Sequence, residues 1–303
     1  MNCTNAFFGK LQALNLGRYK DFANRFSRNR SSLVGLAMLL GVFIFGWVIP
    51  LFISVNAMKM VGDPFLPPSA SHLFGTDDLG REVFHQVIVG ARTSAMVGLV
   101  AAGLSTVIGL IVGSFSGYYG GWLDGSLMRI TEFFMVIPRF FLAVIMVALL
   151  GASIWNIVFA IGILSWPRTA RLVRGEYLKI KKSEFVDAAR SLGANDSRIM
   201  FSEILPNALP PVIVNTALEV GSAITIEAGI SFLGLGDPEQ ISWGFLLYQA
   251  QMFIRRASWM SIFSGFGIFI TVMGLNLVAD GLNEALNPKF RRVGIKMANA
   301  RST

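Results

Sequence analysis

Cysteine is nearly absent from this chain: Cys3 is the single one in 303 residues, so no internal disulfide can form. Histidine is almost as scarce. His72 and His85 lie in one short stretch and read as ordinary surface side chains, too few to build a metal site, and no cofactor is expected. Charge is thin as well, at 15% of residues against 53% hydrophobic, which excludes a disordered chain and an ordinary water-soluble domain. The pattern G-x-x-x-x-G-K-[ST] does not occur, so the backbone cradle and lysine that hold nucleotide phosphates are missing. This chain does not hydrolyse ATP in that way. Nor is there a low-complexity segment or an internal repeat of the kind that marks inverted-repeat transporters.

What the chain has instead is long apolar runs. A bilayer core takes about 20 mostly apolar residues per helix, and runs of that kind occur near Leu33–Val55, Ser94–Phe115, Met128–Leu150, Ile154–Ala170, Leu209–Leu235 and Met260–Ala279. They predict an all-α polytopic membrane protein with about six transmembrane helices. The first run starts too deep and runs too long for a cleaved signal peptide, so it reads as a retained helix. Lys and Arg fix the orientation. They crowd into the leading segment (Lys10, Arg18, Lys20, Arg25, Arg28, Arg30), the loop after the fourth run (Arg168, Arg171, Arg174, Lys179, Lys181, Lys182, Arg190, Arg198) and the tail (Lys289, Arg291, Arg292, Lys296, Arg301). All three are expected in the cytosol, with both termini, and residues 56–93 outside. Arg255 and Arg256, in the last external loop, are the exception. The formal net charge of +8 thus reflects helix flanks in contact with lipid rather than a nucleic-acid partner, for which no motif is present.

One soluble-looking stretch interrupts the apolar blocks: EFVDAARSLGANDSRIMFSEILP, from Glu184 to Pro206. Phe185, Ala188, Ala189 and Leu192 fall at helical i, i+3, i+4, i+7 spacing, with Glu184, Asp187 and Arg190 on the other faces. Gly193 is a stop signal, and Asn195 and Asp196 are caps for a second short helix. The expectation is a rigid helix-turn-helix knob on the cytosolic side.

With Asp187-Ala188-Ala189, Gly193 and Leu205-Pro206 in register, this knob resembles the EAA loop of permease subunits of ABC importers. Four further blocks extend the likeness to the dipeptide, oligopeptide and nickel permease family over roughly residues 30 to 290. They are HLFGTDDLGREVFHQVIVGARTS (72–94), GYYGGWLDGSLMRITEFFMVIPRFFLAV (117–144), AGISFLGLGDPEQISWG (228–244) and NLVADGLNEALNPKF (276–290). Two positions depart from the pattern, Asp187 in place of Glu and Glu203 in place of Ile. Within the family the chain is similar to the second permease type.

The resemblance implies a type I importer permease fold with this division: a cytoplasmic segment 1–32, a first transmembrane helix 33–55, an external segment 56–93, a five-helix core 94–284 with a coupling loop 175–207, and a cytoplasmic tail 285–303. It also implies a prokaryotic inner membrane location and partners: a homologous sister permease, two ABC ATPase subunits docking on Glu184, Phe185, Asp187, Ala188, Ala189, Arg190, Leu192, Gly193, Leu205 and Pro206, and an extracytoplasmic solute-binding protein. The implied activity is import of di- or oligopeptides by alternating access, with nickel, glutathione or an oligosaccharide as alternative solutes.

Buried acids offer a reading from a different class. An ionisable group at the bilayer centre costs roughly 3 kcal/mol or more, and Glu219 and Glu227 lie two turns apart in the fifth run, while Glu132 and Arg139 are seven apart in the third and are expected to share a face. They line the passage or pair with one another inside the bundle; an ion-coupled secondary transporter would use Glu219, Glu227 and Glu132. The tetrapeptide Gly234–Asp237 matches the Gly-x-Gly-Asp pattern of intramembrane aspartyl proteases, but no Tyr-Asp pair supplies the second acid. Gly109, Gly113 and Gly117 make consecutive small-xxx-small steps, a surface for close helix packing.

Overall fold

The computed structural model describes residues 23–286, and the regular elements in that range are helical. Residues 1–22 and 287–303, which hold Cys3, Lys10, Arg18, Lys20 and the basic tail, lie outside it, as do the last residues of the 276–290 block.

Helix α1 (Arg30–Phe43) starts at Asn29, whose side-chain oxygen accepts from the Ser31 and Ser32 amides, and runs on through a π turn (Ile44–Val48) into a 3₁₀ turn (Ile49–Leu51) carrying Pro50. After residues 52–82 comes α2 (Val83–Tyr119), whose 37 residues extend about 55 Å at 1.5 Å per residue. That exceeds a bilayer core of about 30 Å, so α2 projects beyond it. Gly120 and Gly121, both at positive φ (70° and 57°), reverse the chain into α3 (Gly121–Val136). Then follow α4 (Arg139–Leu150), α5 (Ile154–Ile180), α6 (Glu184–Ser191), α7 (Leu205–Ile230), α8 (Trp243–Ala250) and α9 (Ser258–Leu286).

Among the described residues, four stretches are long and apolar enough to cross a membrane: Arg30–Leu51, Val83–Tyr119, Asp196–Leu235 and Ser258–Leu286. The run expected as one straight span over Met128–Leu150 is instead a broken pair, α3 and α4 meeting at 83°. The cause is local. A residue before proline is pushed out of the α region, and Ile137 takes φ −88°, ψ 130° before Pro138 opens α4. Helix α5 carries Arg168, Arg171 and Arg174 in its second half, yet it is the most enclosed helix, with Ile157, Ala160, Val173 and Tyr177 fully buried.

The glycine stripe of α2 explains that enclosure. A Cβ at Gly113 would stand 2.5 Å from the Ala170 carbonyl and 2.6 Å from Val173 Cβ, and one at Gly117 2.6 Å from Tyr177 Cβ, so only glycine lets α2 and α5 touch backbone to backbone. Elsewhere on α2, Leu99, Val107 and Ile111 are more than half exposed, a large apolar surface suited to hydrocarbon. Polar links reinforce the α2–α5–α7 contact: Thr106 and Thr216 hydroxyls at 3.0 Å, and the Asn215 amide donating to Thr169 at 3.0 Å. Helix α8 packs against α2. Trp243 is buried, its indole N–H donates to the Val87 carbonyl at 3.0 Å, and its main-chain N–H donates to the Ser94 hydroxyl at 3.1 Å.

Candidate functional site

The stretch Glu184–Pro206 folds as a knob anchored from below and bare on top. Helix α6 ends at Gly193, which takes φ +82°, and the Asn195 side chain accepts from the Arg198 amide to cap the next helical turn (Asp196–Arg198). A π turn (Ile199–Ile204) then leads into α7, with Leu205 and Pro206 in its first turn. Val186, Ile199, Met200 and Ile204 are buried against Tyr118 of α2 and Val173, Tyr177 and Ile180 of α5. In contrast, Glu184, Asp187, Ala188 and Arg190 are exposed, and so are two large apolar side chains, Phe185 at 44% and Leu192 at 88%. Ala189 is half-buried. Asp187 and Arg190 approach at 3.4 Å, an exposed i,i+3 pair worth little to stability.

Three features underneath the knob were not singled out from the sequence. The Tyr118 hydroxyl donates to Asp196 at 2.6 Å, the Tyr177 hydroxyl donates to the Met200 carbonyl at 3.1 Å, and Lys181 donates to the Tyr118 carbonyl. Tyr118 and Tyr177 sit one residue past Gly117 and at the end of α5, a position legible only once the two helices are known to pack.

The intramembrane acids have specific partners. Arg139, at the start of α4, donates to Glu219 of α7 at 3.0 Å, to Ser165 of α5 at 3.3 Å and to Ser222 of α7. The ion pair therefore ties three helices together at the α3–α4 break. Glu227 is fully buried and accepts from Ser231 at 2.7 Å and from Ser242, the residue capping α8, at 2.6 Å; its second oxygen has no hydrogen-bond partner. Glu132 is exposed on α3. The expectation that Glu132 and Arg139 share one helical face is corrected by the 83° bend between them.

Residues 56–82 are folded down on the junction between α8 and α9. Buried Asp77 accepts from the Leu79 and Arg81 amides, from Arg81 Nε at 2.7 Å and from Gln86 at 2.7 Å. The Trp259 indole donates to the Thr76 carbonyl at 3.2 Å, and Arg256 lies 4.3 Å above the Phe65 ring. His72 meets Glu82 at 2.7 Å rather than standing free. Among the described residues no three His, Cys, Asp or Glu side chains converge as metal ligands. Asp237, of the Gly-x-Gly-Asp sequence, accepts from the Ile154 amide at 2.9 Å and so holds the start of α5, a structural task that leaves the protease reading without support.

Residues 105–292 match the family model for the binding-protein-dependent transport system inner membrane component. The dipeptide transport system permease protein DppC of Alkalihalophilus pseudofirmus is 37% identical over 275 residues, covering 90% of each chain. The oligopeptide transport system permease protein OppC of Bacillus subtilis is 37% identical over 285 residues, 93% of each chain. The glutathione transport system permease protein GsiD of Pectobacterium atrosepticum is 36% identical over 277 residues, 90% of this chain and 92% of its own. Among solved structures, an inward-facing MetNI methionine ABC transporter chain superposes with a TM-score of 0.55 at 22% identity, covering 67% of this chain and 96% of that one, which extends the likeness to the fold. The chain belongs to the binding-protein-dependent transport system inner membrane component family, and is a multi-pass, non-catalytic permease subunit of an ABC transporter.

Proposed function

We propose that this subunit imports di- or oligopeptides, pairing with a sister permease of the same family and taking its energy from two ATPase subunits that dock on the α6 knob. The observation that carries the coupling role is the contrast within α6: Val186 is fully buried while Phe185 and Leu192, one and six residues away, stand in solvent. An exposed apolar pair on a helix anchored from below is the form of a docking anchor, because burying Phe and Leu in a partner's socket supplies about 1.5–3 kcal/mol per side chain. Glu184, Asp187 and Arg190 surround it with charge that sets the register.

Peptides are supported as the solute by the dipeptide and oligopeptide permeases to which the chain is 37% identical, and the glutathione permease is consistent with them, since glutathione is itself a tripeptide. In the proposed topology α3 and α4 together make one crossing and α5 another, which gives six spans, puts segments 1–32 and 285–303 with the coupling loop 175–207 in the cytosol, and leaves residues 56–93 and the loop from Pro238 to Trp259 outside. Those two external pieces, already packed on each other through Trp259 and Arg256, form the surface offered to the loaded binding protein. Nucleotide-driven closure of the ATPases moves the knobs of the two permeases, and the spans reorient from outward to inward access.

The test is copurification of the ATPase with the permease. Proline fixes φ near −65°, which Gly193 at +82° cannot accept, so Gly193→Pro removes the bound ATPase if the reading is right. An importer in which Gly193→Pro and Leu192→Asp both retain a stoichiometric ATPase would contradict it.

A further inference from the structure

The exposed top of the knob answers how an ATPase is held, but not how its motion reaches the membrane. We propose that Tyr118 and Asp196 form a positioning pair that makes the knob move as one body with the cytosolic end of α2, so that ATPase closure is converted into helix movement rather than lost in a flexing loop. This inference rests on the reading of α6 as the docking helix.

The geometry supports it in three ways. First, Tyr118 is 4% exposed while its hydroxyl donates to a carboxylate at 2.6 Å, a short charge-assisted bond at the end of the helix. Second, Asp196 stands in the first turn of the helical segment that leads without a break through Ile199–Ile204 into α7, so the bond joins α2 to α7 across 78 residues of chain. Third, the tyrosine is itself fixed: Lys181, just past α5, donates to the Tyr118 carbonyl and lies 5.2 Å over its ring, and the Arg190 guanidinium of α6 lies beside the hydroxyl. One side chain therefore contacts groups from α5, α6 and the start of α7. Tyr177 adds a parallel link from α5 to the Met200 carbonyl at 3.1 Å. Apolar packing alone would allow the knob to slide, because dispersion contacts have no preferred direction. A directed hydrogen bond does not slide.

The experiment measures solute taken up and ATP hydrolysed in the same vesicles, using the assembled importer with its binding protein. Tyr118→Phe removes the hydroxyl and keeps the ring under Lys181; Asp196→Ala removes the acceptor; Asp196→Asn keeps an acceptor oxygen. Loss of a hydrogen bond to a charged group shifts the latched-to-unlatched ratio by roughly 10-fold or more. The expected result is an ATPase still bound and active in Tyr118→Phe and Asp196→Ala, with solute moved per ATP reduced several-fold. The double variant should be no worse than either single one, as for partners in one bond, and Asp196→Asn should recover most of the ratio. A ratio unchanged in Tyr118→Phe overturns the proposal, and so does loss of ATPase binding, which would make the pair a shape-keeper for docking. Phe185→Asp, an exposed change that touches neither partner of the Tyr118–Asp196 bond, separates the two readings: if it leaves the ATPase bound, the docking role of α6 fails whatever the pair does.

Discussion

Removing Glu219 while leaving Arg139 in place should be among the most damaging single truncations in the bundle. The pair stands at 3.0 Å with side chains 22% and 6% exposed, between helices that hydrocarbon surrounds. Breaking a buried pair by deleting one partner costs about 3–5 kcal/mol, because it leaves a buried charge uncompensated. Here Ser165 and Ser222 still accept from the guanidinium, and part of Arg139 reaches solvent, so Glu219→Ala should lie near the lower end, about 3 kcal/mol. Glu219→Gln keeps an acceptor and loses the charge, and should cost about 1–3 kcal/mol. The double change Arg139→Met with Glu219→Met replaces the pair by apolar volume and should fall within about 1 kcal/mol of the original protein. SDS-titrated unfolding of the purified subunit in mixed micelles reads all three. A Glu219→Ala loss under about 1 kcal/mol, the scale of an exposed pair, would refute the reasoning, as would a double variant no better than the single one.

The glycine stripe gives a paired test by thermal unfolding: Gly113→Val drives a side chain into the Ala170 carbonyl and Val173 and should lose about 1–3 kcal/mol or more, while Gly103→Ala, with open space around it, should be neutral or gain up to about 1 kcal/mol. Trp243→Ala empties the socket between α2 and α9 and should lose about 3–5 kcal/mol; Trp243→Phe, which forfeits the bond to the Val87 carbonyl, should lose much less, and both are read by the same melt. Leu192→Asp should leave that melt unchanged, since the side chain is 88% exposed, yet should abolish ATPase copurification.

The sequence conveys local rules better than long-range partners. Gly193 as a helix stop, Asn195 as a cap and the tight packing of Gly109, Gly113 and Gly117 follow from backbone conformation and side-chain size, and each has its counterpart in the structure. The 37-residue length of α2 was less legible, because hydropathy reports the apolar stretch and not where helix continues into water. The break at Ile137–Pro138 had a visible proline, but a proline inside an apolar run is compatible with a mild kink as well as with an 83° turn. The partner of Arg139 lies 80 residues on, and the expectation of a shared face with Glu132 failed because helical spacing holds only within one helix. Helix α8 falls between two apolar runs: at eight residues it is too short to register as a span, and its place is fixed by Trp243 entering a socket of distant residues. The knob was recognisable because its composition interrupts the apolar runs. Its attachment through Tyr118 and Tyr177 was not, since nothing in either residue's neighbourhood announces a contact with Asp196 or Met200.

The most direct test of the account is uptake by the complete importer in vesicles, supplied with its binding protein and a mixed panel of peptides, sugars and nickel, and read by mass spectrometry. Peptides should accumulate only when ATP is present, and Gly193→Pro should stop the accumulation. Uptake that proceeds without any ATPase and follows the proton gradient would contradict it, and would hand the mechanism to Glu219 and Glu227.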